Sequence, residues 1–171
     1  HSLSITNIYK TLIQQNELSH QSIIKKHLRD VSNEQSEPVN IPFKNRWYDS
    51  KPFGYINSNY SVCRSVTLSA SVFHGVLPTE SPLTTTMWTA LGNPASTLTL
   101  PYWPVGATPS HSQDEIISPL YKNAEAIKAY LYDDQNNKTY FDSYKLIDEK
   151  GFGILNKFMS FEDYLFNEVS T

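Results

Sequence analysis

One stretch limits the fold more than any other. Residues 61–77 read Ser-Val-Cys-Arg-Ser-Val-Thr-Leu-Ser-Ala-Ser-Val-Phe-His-Gly-Val-Leu. Val62, Arg64, Val66, Leu68, Ala70 and Val72 share one parity. Cys63, Ser65, Thr67, Ser69, Ser71 and Phe73 share the other. Side chains alternate across a strand, so this pattern predicts a β-strand with one apolar face and one small, hydroxyl-rich face. Residues 78–82 then turn the chain, 84–92 predict a second strand, Asn93-Pro94 turns again, and 95–100 predict a third. Short strands joined by turns fit an antiparallel meander.

The flanks follow another period. Ile5, Ile8, Tyr9, Leu12 and Ile13 share one face of a helix over 5–15. Ser19 caps a second helix over 20–31, with Ile23, Ile24, Leu28 and Val31 as its apolar stripe and Lys25, Lys26, Arg29 and Asp30 toward water. A further helix opens at Ser112, Pro119 interrupts it, and a longer segment over about 119–132 carries Leu120, Ala124, Ile127 and Leu131 in register. Residues 139–147 read as a strand or extended edge, and a terminal helix opens at Ser160. Four segments result: a helical hairpin over 4–31, an aromatic and proline-rich loop over 32–60, antiparallel strands over 61–105, and a helical and mixed part over 112–171. The expected class is α+β, a mainly antiparallel sheet flanked by helices.

Composition closes off other classes. At 171 residues the chain is one domain or part of a larger one, and 39% hydrophobic with 18% charged residues is too apolar for a disordered chain. A net charge of -3 leaves no basic excess for phosphates, so nucleic acid is not an expected partner. A single cysteine excludes an internal disulfide framework and a cysteine-built zinc site. No apolar run approaches the ~20 residues that span a bilayer, and the first residues carry no signal-peptide pattern. A mature secreted chain or a fragment of a longer one would look the same.

Few residues point to chemistry. No glycine-rich phosphate loop and no HExxH occurs, so no cofactor or metal is expected. His20 and His27, seven apart, share a helix face, which reads as a half-exposed surface ahead of a metal pair. His74 ends the long strand. Arg64 is the most informative charge, because its parity aims it at the apolar side. A guanidinium there must be held in an ion pair or line a pocket for an anion or carbonyl. Cys63 has the opposite parity and reads as a small buried residue.

In order along the chain, Cys63-Arg64-Ser65, Val72-Phe73-His74-Gly75-Val76, Thr84-Thr85-Thr86-Met87-Trp88, Leu91-Gly92-Asn93-Pro94 and Leu100-Pro101-Tyr102-Trp103-Pro104-Val105 form a series. The series resembles the C-terminal half of N-terminal-nucleophile hydrolases that act on linear amides. These are the enzymes related to isopenicillin-N acyltransferase, penicillin V acylase and choloylglycine hydrolase, and exported Bacteroidetes-type members share the pattern. The resemblance implies half of a four-layer αββα sandwich, a small amide or acyl substrate, hydrolysis or acyl transfer without a cofactor, and an exported or periplasmic location. The family's nucleophile is an N-terminal cysteine, whereas His1 opens this chain. The resemblance therefore implies a portion inactive by itself, whose partner is the missing N-terminal half or a second copy. Residue by residue, it makes Arg64 a supporting catalytic group and Trp88 and Trp103 pocket residues. The alternative is a non-catalytic α+β binding or structural domain.

Overall fold

The computed structural model describes residues 2–29, 31, 55–113, 116–132, 140–148 and 150–169. Most of the aromatic and proline-rich loop over 32–60 and the polar turn over 133–138 lie outside them. Helix α1 spans Ser2–Gln14. Asn16 then adopts a left-handed φ of 55° while the Glu17 N–H reaches back to the Leu12 carbonyl at 2.8 Å. This is an asparagine-terminated Schellman closure, and it turns the chain into α2. Helix α2, His20–Ser22, is capped by the Ser19 hydroxyl and runs directly into π-helical Ile23–Leu28.

Strand β1 is Tyr55–Asn57, β2 is Ser69–His74, β3 is Thr86–Leu91 and β4 is Thr99–Tyr102. Helix α3 covers Pro119–Leu131, β5 is Tyr140–Asp142, α4 is Ser143–Leu146, and α5 is Ile154–Val169. Strands β2, β3 and β4 form one antiparallel sheet in that order, and β1 pairs with β5 in a second. The architecture is α+β, an antiparallel sheet flanked by helices, as the two periodicities predict.

The expected strand over 61–77 shortens to Ser69–His74, and the reason is local. The Asn93 side-chain amide donates to the Cys63 and Arg64 carbonyls at 3.0 and 2.8 Å. Thr67 closes on the same segment: its N–H bonds the Arg64 carbonyl at 2.9 Å and its hydroxyl the Val62 carbonyl at 2.8 Å. Lys128 holds the Ser65 carbonyl at 3.3 Å. Backbone acceptors that a longer ladder would use are already occupied, so 61–68 folds as a turn.

The third strand also moves. Asn93 accepts the Ala95 N–H through Oδ1 and caps a 3-10 turn at Pro94–Ser96, which delays β4 to Thr99–Tyr102. Strand β4 tolerates Pro101 because of its phase in the ladder. The Gly92 N–H bonds the Leu68 carbonyl at 2.8 Å, so Leu68, Ala70 and Val72 direct their backbone groups toward β3. Trp88 answers Val72, and its pairing with Pro101 is then a non-hydrogen-bonded one that needs no N–H from proline. Pro119 does not interrupt α3 but opens it, beside a Ser118 cap whose hydroxyl accepts the Tyr121 N–H at 3.1 Å. Residues 139–147 split into β5 and α4, with Asp142 capping the helix through Tyr144. The terminal helix begins at Ile154, ahead of Ser160.

Two apolar clusters form. Ile24, Leu28, Trp88 and Phe166, with Ala70 and Val72, fill the space between one sheet face and the segment over 20–28 and α5. Val31, Cys63, Ala95, Leu131, Tyr132, Leu146, Ile147 and Leu155 gather α3, α4 and α5 around the 61–68 turn. Gly92 sits between them with a φ of +116°, and a Cβ there would meet the Ala124 Cβ at 2.6 Å. Only glycine admits both the conformation and this approach of α3.

Candidate functional site

The sheet has two unlike sides. In antiparallel pairing, opposed residues share a face. Ala70, Val72, Thr86, Trp88, Ala90 and Thr99 therefore face the helices, whereas Ser69, Ser71, Phe73, Met87, Thr89 and Leu100 face away. On the helix side Trp88 is fully buried. Its ring lies 4.7 Å from Phe166 and 5.6 Å from His20, and His20 stacks at 4.2 Å on His74 at the end of β2. Burial and the neighbouring His74 push the His20 pKa below its usual 6.5.

A buried ion pair joins the same layers. Arg29 Nη2 lies 2.5 Å from Glu162 Oε1, and that oxygen also accepts the Thr99 N–H at 2.7 Å. Arg29 Nη1 donates to the Thr97 carbonyl at 3.0 Å, and the Phe158 ring lies 5.6 Å from the guanidinium. The pair bolts the segment over 20–28, α5 and the start of β4 together. Arg29 Nε and Glu162 Oε2 have no hydrogen-bond partner among the described residues, so the pair is incompletely matched. This corrects the reading that turned Arg29 to water. A signal existed: Leu155, Glu162 and Phe166 fall at spacings of seven and four on the buried stripe of α5, and an acid there requires a cation.

A second polar centre is better matched. The buried Tyr132 hydroxyl lies 2.9 Å from both the Ser58 hydroxyl and the Cys63 carbonyl, with the Asn93 amide 3.4 Å away. Burial, the main cause, raises the Tyr132 pKa well above that of free tyrosine. The Cys63 thiol donates to the Leu28 carbonyl at 3.1 Å, and the residue is buried as expected, though in a turn and not on a strand.

The residues singled out in the sequence do not come together. Arg64 is exposed in the 61–68 turn, not buried on a strand, so the parity that aimed it at the core does not apply there. Trp88 belongs to the helix-backed core, and Trp103 is 44% exposed beyond β4. His20 and His27 take separate neighbours, His74 for the first and Tyr9, at 5.5 Å, for the second. Among the described residues no group of three or more histidines, cysteines or acids converges on a metal position, and no helix is long and apolar enough to cross a membrane.

The surface feature that sequence reading missed lies around β2. Among the described residues strand β2 is an edge of its sheet. Val66, Leu68, Phe73 and Leu77 are 72, 63, 72 and 65% exposed. No Asp, Glu, Lys or Arg occurs anywhere from 65 to 79. The signal was present in that uncharged run, but a strand read as one apolar and one hydroxyl-rich face puts the exposure on a face of the sheet and not at its edge. Compared with known proteins, the chain matches no family model, and no curated protein or solved structure proves similar to it.

Proposed function

We propose that this chain is a non-catalytic binding domain that docks a β-strand of a protein partner along the β2 edge. The observation that carries the reading is the uncharged edge with its exposed Val66, Leu68, Phe73 and Leu77. Edge strands are ordinarily blunted by lysine, proline or a covering element, because their free N–H and C=O groups recruit other strands. This edge has none of those charges or prolines between 65 and 77. Added strands gain affinity from main-chain hydrogen bonds and specificity from alternate side chains. The test is fluorescence anisotropy with a labelled peptide of the β2 region, residues 67–77. Saturable binding that Phe73→Glu weakens supports the reading; no binding to the folded chain overturns it.

A second reading keeps the resemblance to amide hydrolases. It is favoured by a sheet backed by helices on one face while Phe73 lies exposed on the other, as half of an αββα sandwich would present itself. Its occupant is the second sheet of the complete enzyme. In that enzyme Arg64→Ala lowers amide turnover by ~10²-fold, the size of losing one oxyanion-type donor. Unchanged turnover removes Arg64 from the chemistry.

A further inference from the structure

We infer that the strand received by the β2 edge is that of a second copy of this chain, paired antiparallel about a twofold axis centred on Ser71. The inference rests on the edge-docking reading and names its partner. The phase of the ladder supplies the register. Because the Gly92 N–H bonds the Leu68 carbonyl, Leu68, Ala70 and Val72 point their backbone groups inward to β3. Backbone direction alternates along a strand, so the N–H and C=O groups of Ser69, Ser71 and Phe73 point away from β3, to the side where no other described strand lies. An antiparallel copy satisfies all three at once when Ser71 meets its own counterpart and Ser69 meets Phe73 of the second chain.

The side chains agree with that register. Paired residues then have equal parity, so Ala70 and Val72 of both copies stay on the helix-backed face and Phe73 stays on the outer one. The large Phe73 ring lies across the small Ser69, and Val72 across Ala70, so no two bulky groups collide. Charge agrees as well. A twofold axis brings each residue near its own copy, which repels wherever a formal charge lies close to the axis. Along the strand itself the formal charges nearest in sequence, Arg64 and Glu80, lie outside the paired residues. A heterologous strand has no need for this neutrality; a self-paired one does.

Two substitutions at one position test the proposal in the full chain. Ser71→Cys places thiols at the axis, where opposed Cβ atoms in a sheet lie ~4.5–5.5 Å apart. A short thiol-to-thiol cross-linker then yields a covalent dimer at high efficiency. Thr11→Cys, exposed on α1, yields none, and native Cys63 is buried and silent. Ser71→Pro removes an outward N–H that β3 does not use, so the β2–β3 ladder survives while the dimer dissociates in sedimentation velocity. Ser71→Lys, which keeps that N–H, gives the same dissociation by charge. A wild-type chain that sediments as a monomer with no Ser71→Cys cross-link overturns the inference, as does a dimer untouched by both Ser71→Pro and Ser71→Lys. If such a monomer still binds the 67–77 peptide, edge docking stands and the partner is another protein; if it does not, edge docking fails too.

Discussion

The two sides of the three-stranded sheet divide the work of the molecule. Behind β3 the large groups are enclosed: Trp88 between His20 and Phe166, and Arg29 on Glu162. Around the β2 edge large apolar groups stand in water. Burial of an apolar side chain is worth ~1.5–3 kcal/mol, so the first region stabilises the fold and the second contributes little until something covers it. The difference teaches that stability and association should be separable by mutation.

The largest expected effect breaks the enclosed side. Glu162→Ala strands Arg29 in the core and costs about 3–5 kcal/mol, the range for breaking a buried pair. In a chain of this size that lowers Tm by on the order of 10 °C. The joint replacement Arg29→Met with Glu162→Leu recovers much of the loss, because the pair is incompletely matched to begin with. Calorimetry on the wild type and these two variants checks both statements. A Glu162→Ala chain as stable as wild type would show that the pair does not hold the layers.

Asn93→Ala comes next, at about 2–3 kcal/mol. It releases the Cys63 and Arg64 carbonyls and the cap on Ala95 together. Chemical denaturation measures it, and a loss under half a kcal/mol would mean the turn is held by Thr67 and Lys128 alone. The His20 effect is smaller and depends on pH. A histidine whose folded pKa lies below its unfolded 6.5 binds fewer protons when folded. Its stability contribution is therefore whole above pH 6.5 and is lost as the pH falls from there through the lower folded-state pKa. His20→Phe keeps an aromatic ring on Trp88 and flattens this part of the acid limb in a plot of Tm against pH. An unchanged limb assigns the titration to another group.

The smallest stability change belongs to the edge. Phe73→Glu alters folding by no more than about 0.5 kcal/mol, as exposed substitutions do, yet it weakens peptide binding and self-pairing. A large loss of Tm instead would show that Phe73 is already packed in the isolated chain, and the contrast between the sides would collapse.

Class was legible because two hydrophobic periods meet near Tyr60, and periodicity survives without tertiary knowledge. The late start of β2 at Ser69 was not, since a side chain thirty residues away from Cys63, Asn93, occupies the carbonyls that periodicity gives to a ladder. Arg64 illustrates the consequence: parity is a sound guide to direction only inside a strand, and the residue lies outside one. Arg29 failed for the opposite reason. Its partner is 133 positions distant, and nothing near Arg29 shows that Glu162 will be waiting on the buried stripe of another helix.

Asn93 has a consequence beyond the turn it closes. The 61–77 run alternates like a strand throughout, is uncharged from 65 to 77 and contains no proline, which is the composition of segments that stack into cross-β fibrils. By engaging the backbone at Cys63 and Arg64, one carboxamide keeps the template six residues long, enough for a closed pair but poor seed for an open-ended one. Chains carrying Asn93→Ala should bind thioflavin and sediment as polymer after mild warming, while a second change, Val66→Lys, should prevent it without restoring the turn.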